Sequence, residues 1–291
     1  MPNLAIGTAQ FGLNYGISNT LGQTSKAEID EIIRHAATNQ VDVIDTSPAY
    51  GSSEELLGEF LPSSFGSIVT KTLQLKTDAL SVYELEKIEA TFNLSLKKLR
   101  RQKIYGLLVH DAEDLLKPGA DALYAWLKEI QANEQVLKIG VSVYTPDQID
   151  LIFSRYELDL VQLPISVFDQ RFVLNGQLKY LKALGVEIHA RSIFLQGLLL
   201  MNSTKLSKHF DPIKPIFDLY DDYLEQNNLS PLQAAYAFVN GLDQVDEMVC
   251  GVNTLEQFHE LLSLKMKKLP QDFFGQFSIE NHSILNPAEW V

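Results

Sequence analysis

The sequence predicts an α/β fold, a single (β/α)8 (TIM) barrel, on three observations. Short apolar runs alternate with amphipathic stretches along the whole chain. Eight such runs fit within its 291 residues. Several are apolar throughout, as parallel strands covered on both faces should be. In order they are Leu4–Gly7, Val41–Asp45, Ile68–Lys71, Tyr105–His110, Leu137–Ser142, Leu160–Leu163, Val186–Arg191 and Met248–Gly251. No Gly/Ser linker or low-complexity tract divides them. Residues 1–291 are therefore expected to form one barrel domain, with a C-terminal tail from about residue 270.

Helix starts lie between the runs. Ser25 with Glu28, and Ser52 with Glu55, read as capping boxes. Thr145-Pro146-Asp147-Gln148 places a cap, a first-turn proline and a reaching Gln, and Ser230-Pro231-Leu232-Gln233 repeats the device. The longest helix is expected over about Ser81 to Arg100, with Leu85, Ile88, Phe92, Leu96 and Leu99 along one face. Lys97, Lys98, Arg100 and Arg101 stand at the end where cations suit the helix dipole, which explains that basic run without a nucleic-acid partner. Two connections are long: about Leu200 to Ser230, and the tail after Leu269. The tail from Asp272-Phe273-Phe274 to Trp290 is aromatic-rich and has two readings, a cover for the barrel mouth or padding for its wall.

Composition narrows the function classes. Net charge is −13, from 37 acidic and 24 basic residues. Such a surface repels phosphate backbones, so no nucleic-acid partner is expected. The single cysteine, Cys250, lies in the apolar run Met248-Val249-Cys250. An intrachain disulfide or a Cys cluster for metal is excluded, and Cys250 reads as a buried strand thiol. No apolar run approaches the roughly 18 residues needed to span a bilayer, so no membrane partner is expected. The start MPNLAIG lacks a signal-peptide pattern, which makes a cytoplasmic location the default. A monomer or a weak homo-oligomer is expected.

The chemistry should gather at the C-terminal ends of the strands. Strand two ends at Asp45, with Tyr50 in its loop. Strand three ends at Lys71, and strand four at His110. A phenol with a pKa near 10 can donate a proton, and a nearby ammonium lowers that pKa. Asp45 can hold Lys71 in place, and His110 can orient a substrate oxygen. The set describes a general acid that protonates a carbonyl oxygen while hydride reaches its carbon. No side chain supplies hydride, so a nicotinamide cofactor is implied. The set does not make a metal site.

The pieces IGTAQFG, DTSPAYGSSEELLG, VTKT, LLVHD, KIGVSVY, VQLPIS, ARSIFLQGLL and CGVNTLEQF resemble the aldo-keto reductase superfamily over about Asn3 to Leu264. The opening GTAQFGLNYGISN resembles a bacterial branch met in sugar and surface-polysaccharide contexts. The resemblance implies a catalytic set of Asp45, Tyr50, Lys71 and His110. It implies that Ser142 and Gln162 hold the nicotinamide carboxamide, with Gly7 and Thr8 beside the ring and Asp45 at the same end. Arg191 falls where the family often stacks a Tyr on the nicotinamide, and a guanidinium plane stacks similarly. Ser192, Phe194 and Gly197 match the pyrophosphate loop. Asn253, Gln257 and Glu260 align with the adenosine end, at a helix N-terminus suited to phosphate.

Three departures from the family pattern stand out. Val143 replaces the usual Asn after the carboxamide Ser. Gly251 and Gln257 replace the cationic contacts to a 2′-phosphate, so the cofactor is NADP or NAD, with NADP preference weakened. The chain starts at strand one, leaving little room for the N-terminal hairpin that often plugs the barrel bottom.

The expected function is NAD(P)(H)-dependent interconversion of a carbonyl compound, sugar derivatives included, and its alcohol, with Tyr50 as general acid/base. A cofactor-binding regulatory or interaction protein with the same barrel is the alternative. A sugar-processing barrel of another kind, an isomerase or a glycosidase using Asp45 and Asp111, leaves the Lys and Tyr unexplained. The loop Phe11 to Gly22, Tyr144, the segment Phe168-Asp169-Gln170-Arg171 and the tail are expected to line the substrate pocket. Tyr15, Phe168 and Arg171 are the substrate candidates. Arg171 has two readings, contact with an anionic group or pairing with Asp169.

Overall fold

The structure, a computed structural model, describes residues 1–264 and 274–290. Asp272 and Phe273 of the predicted tail, and its expected start near residue 270, lie outside the described residues. Eight parallel strands close into a barrel in sequence order: β1 (Asn3–Gly7), β2 (Val43–Asp45), β3 (Ser67–Lys71), β4 (Ile104–Val109), β5 (Val136–Ser142), β6 (Leu160–Pro164), β7 (Glu187–Arg191) and β8 (Glu247–Gly251). β1 pairs with both β2 and β8, which completes the closure. Every strand anticipated from the apolar runs is present.

Among the described residues the helices are α1 (Ala9–Gly12), α2 (Lys26–Thr38), α3 (Ser53–Phe60), α4 (Val82–Leu99), α5 (Ala120–Ala132), α6 (Pro146–Phe153), α7 (Arg171–Leu174), α8 (Gln177–Ala183), α9 (Lys214–Gln226), α10 (Pro231–Asn240), α11 (Leu255–Ser263) and α12 (His282–Leu285). α4 shows how the sequence sets their placement. Ser81 and Glu84 cap its start reciprocally, Ile88, Phe92, Leu96 and Leu99 bury one face, and Arg100 ends it in the left-handed region at φ 53°. Inside the barrel, Ala5, Val43, Val69, Leu108 and Leu160 form the packed interior. The larger apolar layer lies between strands and helices.

Two predicted capping boxes form differently. Ser25 Oγ accepts the Glu28 N–H, but the Glu28 carboxylate turns away and accepts the Leu255 N–H, 2.6 Å away at the start of α11. Ser52 makes no cap bond, and its hydroxyl accepts instead from Gln23 Nε2 at 3.2 Å. At Ser230 the box forms as expected, and at α6 Gln148 reaches back to the Thr145 N–H. The long connection after strand seven is not a loop throughout. It contains α9, which buries Phe217, Tyr220, Tyr223 and Leu224.

The described part of the tail pads the wall. The Phe277 ring meets Tyr220 at 5.3 Å and the Phe274 ring meets Phe238 at 5.2 Å. The tail also reaches the mouth, where Asn286 and Pro287 line a cavity at the strand ends. At the opposite end of the barrel a polar cluster fills the interior. Glu187 takes His189 Nε2 at 2.6 Å, the Tyr105 hydroxyl at 2.6 Å and the Lys138 ammonium. Asn3 donates to Glu247 there at 3.0 Å.

Candidate active site

The parallel register sends every strand's C-terminal end to one mouth. Gly7 lies opposite both Asp45 and Gly251, and Ser142 lies opposite Gln162. A cavity of about 720 Å3 opens there. That size falls within the range of about 300–1,000 Å3 typical of small-molecule and cofactor sites.

Asp45, Tyr50, Lys71 and His110 all line it. Asp45 and Lys71 are buried, and the Lys71 ammonium uses its three donors on Asp45 Oδ1 at 2.8 Å, Asp45 Oδ2 at 2.9 Å and the Thr46 carbonyl at 2.9 Å. Gln162 Nε2 adds a further bond to Asp45 Oδ1 at 2.7 Å. A hydroxyl chain braces the same strand end. Thr46 Oγ1 lies 3.1 Å from Ser53 Oγ, Ser53 donates to Thr8 Oγ1 at 2.8 Å, and Thr8 donates to the Asp45 carbonyl at 2.9 Å. Thr46 and Ser53 carry no sequence signal for this role, because each matters only once β1, β2 and α3 are side by side.

Tyr50 sits on a loop pressed against α1. A Cβ on Gly12 would lie 1.7 Å from the Tyr50 carbonyl oxygen, so only glycine permits the approach. The Lys71 ammonium stands 5.1 Å from the centre of the Tyr50 ring. Burial, and then the Asp45 carboxylate, push the Tyr50 phenol well above its ordinary range, while Arg191 pulls it down. Burial, then the charges of Lys71 and Arg191, depress His110 to about 3, so its imidazole is neutral. Its Nδ1 lies 3.4 Å from Ser47 Oγ, and that hydroxyl accepts the Ala49 N–H at 3.1 Å.

The other cofactor candidates also reach the cavity. Gly7, Thr8, Ser142, Gln162, Arg191, Ser192, Phe194, Gly197, Asn253, Gln257 and Glu260 line it. The segment after β7 is conformationally demanding. Ser192, Leu195 and Gln196 have φ of 59°, 47° and 52°, and Gly197 has 91°. Within it the Leu195 N–H donates to the Ser192 carbonyl at 2.8 Å and the Gly197 N–H to the Phe194 carbonyl at 2.9 Å, which hold the turn in place. Arg191 donates to the Val143 carbonyl at 3.0 Å and to Ser192 Oγ at 3.2 Å, and its guanidinium lies 4.3 Å from the Tyr144 ring centre.

The loop after β1 crosses the mouth. The Ile17 N–H donates to the Gln196 carbonyl at 3.0 Å, and Asn253 Nδ2 donates to the Gly22 carbonyl at 2.9 Å. Tyr15 is carried on that loop into the cavity, where burial, reinforced by Tyr50, pushes its phenol up to about 12. Gln257 Oε1 accepts the Asn253 N–H at 2.8 Å.

Two substrate candidates are not brought to the cavity. Phe168 is fully buried against Phe217 and Tyr220, at 5.2 and 5.6 Å between ring centres. Arg171 takes the local alternative, a two-pronged pair with Asp169 at 2.8 Å for each bond. Tyr144 does line the cavity, together with residues outside the sequence-predicted set: Gln10, Gln196 and the start of α10 from Ser230 to Leu232. Cys250 is buried in β8, and burial raises its thiol.

Fold and mouth define a class: a (β/α)8 barrel whose mouth cavity gathers a phenol, an ion-paired lysine and a neutral imidazole. Within that class the chain belongs to the aldo/keto reductase family, whose sequence model matches residues 3–280. It is 27% identical over 262 residues to D-arabinose 1-dehydrogenase of Saccharomyces cerevisiae, covering 79% of this chain and 74% of that protein. It is 29% identical over 180 residues to the aldo-keto reductase YhdN of Bacillus subtilis, covering 57% of this chain and 52% of the relative. Among solved structures it resembles an aldo-keto reductase from Bacillus halodurans, with a TM-score of 0.73 at 16% identity over 94% of this chain and 90% of that one. A glycerol dehydrogenase from Gluconobacter oxydans gives 0.71 at 22% identity, over 92% and 88%. These two establish the shared fold. The family and its dehydrogenase and reductase members support oxidoreduction of carbonyl compounds. No described helix is long and apolar enough to cross a membrane.

Proposed function

We propose that the protein is a nicotinamide-dependent oxidoreductase that interconverts an aldehyde or ketone, sugar-derived carbonyls included, and its alcohol. The observation that carries this reading is the convergence of Asp45, Tyr50, Lys71 and His110 on one cavity. When bound, the nicotinamide supplies or accepts the hydride.

The chain's own residues handle the oxygen. Tyr50, kept protonated by burial, donates its proton to the carbonyl oxygen. His110 orients that oxygen as a neutral donor. In this reading the Ser47 hydroxyl, 3.4 Å from Nδ1, donates to it, and Nε2 carries the ring proton toward the substrate oxygen. Lys71, tied by Asp45, holds the floor of the site in one geometry. The segment Ser192–Gly197, which lines the cavity, takes the pyrophosphate, and Ser142 and Gln162 take the carboxamide.

NAD(H) is favoured over NADP(H) in this reading. Gly251 and Gln257 offer no cation, and the Glu28 carboxylate occupies the start of α11, where a phosphate would otherwise gain from free N–H groups. The test is Tyr50→Phe. Turnover of a carbonyl panel should vanish while dinucleotide binding, followed by protein fluorescence, persists. Retained turnover overturns the assignment of the acid.

A further inference from the structure

The reaction end of the cavity carries one cation that no carboxylate among the described residues balances. Lys71 is paired with Asp45 at 2.8 Å. His110 is neutral. Arg191 has no carboxylate partner among the described residues. Its bonds go to the Val143 carbonyl and the Ser192 hydroxyl, and its face lies on Tyr144. Those three contacts fix the guanidinium at the rim of the cavity that Tyr50 also lines. Its field is felt across the site, lowering Tyr50, Tyr15 and His110 alike.

We propose that Arg191 makes the site discriminate between the two redox forms of the nicotinamide cofactor by disfavouring the ring that carries a positive charge. The inference rests on the nicotinamide-dependent reading above. The oxidised ring is a cation and the reduced ring is neutral. A ring able to exchange hydride with a carbonyl held at Tyr50 must lie within a few ångströms of that carbonyl, inside the region Arg191 already influences. Two like charges at that range, partly screened at a half-buried residue, change a binding constant by about tenfold. The reduced cofactor is therefore held and the oxidised one released, which suits carbonyl reduction.

The test is equilibrium titration of the full chain with NADH and NAD+ at fixed ionic strength, followed by fluorescence or calorimetry. The ratio of the two dissociation constants is compared in the unmodified protein and in Arg191→Met, Arg191→Gln and Arg191→Lys. Met and Gln should reduce the preference for NADH about tenfold, and Lys should keep it within about threefold. A ratio unmoved in Met and Gln, with both forms still binding, overturns this inference alone. A ratio that falls as far in Lys as in Met also overturns it, because shape rather than charge would then be the cause. If neither form of the cofactor binds the unmodified protein, the functional reading itself fails and takes this inference with it.

Discussion

The Asp45–Lys71 pair can be tested directly by Asp45→Asn. Both side chains are almost fully enclosed, at 4% and 2% exposure. The ammonium has three donors, and two of them end on the carboxylate. Gln162 adds a third donor to the same group. An asparagine presents one oxygen and one NH2 in that place. With the oxygen in the Oδ1 place it still accepts from Lys71 and Gln162, but the NH2 then points at the ammonium; with the two exchanged, the NH2 meets both the ammonium and the Gln162 amide. Either arrangement leaves a buried cation without its counter-charge. Removing one partner of such a pair costs about 3–5 kcal/mol. At about 2 °C per kcal/mol for a chain somewhat larger than 250 residues, Tm should fall by about 6–10 °C. Urea unfolding followed by tryptophan fluorescence would give the free energy, provided the slope is unchanged. Adding Lys71→Met removes the stranded charge, so the double variant should regain at least about half of the loss, about 2 kcal/mol, and the two single losses should be far from additive. Turnover should stay at least about 100-fold down in both variants, since the floor under Tyr50 has shifted. A single-variant loss below about 1 kcal/mol, or losses that simply add, would refute the view that the pair is a mutually dependent buried unit.

Three further outcomes follow from the geometry. Gly12→Ala would place a Cβ 1.7 Å from the Tyr50 carbonyl and 2.7 Å from the Ser53 nitrogen. The Tyr50 loop must move, so kcat should fall about 100-fold while dinucleotide affinity, measured by titration, changes little. Gln257→Arg should improve the NADPH:NADH affinity ratio by about tenfold, through a charge-assisted contact to the 2′-phosphate; an unchanged ratio would place the adenosine end elsewhere. His110 has a folded pKa of about 3 against its usual 6.5. Between those values the unfolded chain binds the extra proton, so this residue's stabilising contribution is present above pH 6.5 and is lost as pH falls toward 3. His110→Gln should flatten the pH dependence of unfolding in that window by up to one proton; an identical slope in both proteins would contradict the neutral imidazole.

The barrel was legible in the sequence because its strands are covered on both faces. Continuous apolar runs such as Leu107-Leu108-Val109 need no partner to be recognised, and their alternation with capped helices leaves few topologies. α9 escaped for a local reason. Two prolines, Pro212 and Pro215, and short 3-10 turns precede and enter it, and they disguise the helical spacing of Phe217, Tyr220 and Leu224. Pro215 in fact marks the first turn, where its missing N–H costs nothing. Capping was misread where a side chain had a better distant partner. Glu28 fits the box at Ser25, yet it serves α11, 227 residues away.

The site divides along the same line. Residues that end strands were readable, because strand ends converge in any barrel of this kind. Asp45, Lys71 and His110 needed only the strand boundaries, and Tyr50 only the loop after β2. Residues in the loop after β6 were not readable in that way. Pro164 ends the strand, and the loop beyond it is directed by α9 and the tail, which draw Phe168 into their ring cluster. Asp169, two residues from Arg171, removes that guanidinium from any role in the cavity. Arg191 is the counter-example. It too is an arginine close to a strand end, but no acid among the described residues pairs with it, so its charge stays available to the site. Whether a cation at a barrel mouth acts on a ligand or merely pairs is decided by its nearest carboxylate. Here Arg191, unlike Lys71 and Arg171, has no carboxylate partner among the described residues, and its charge is the one left to a ligand in the cavity.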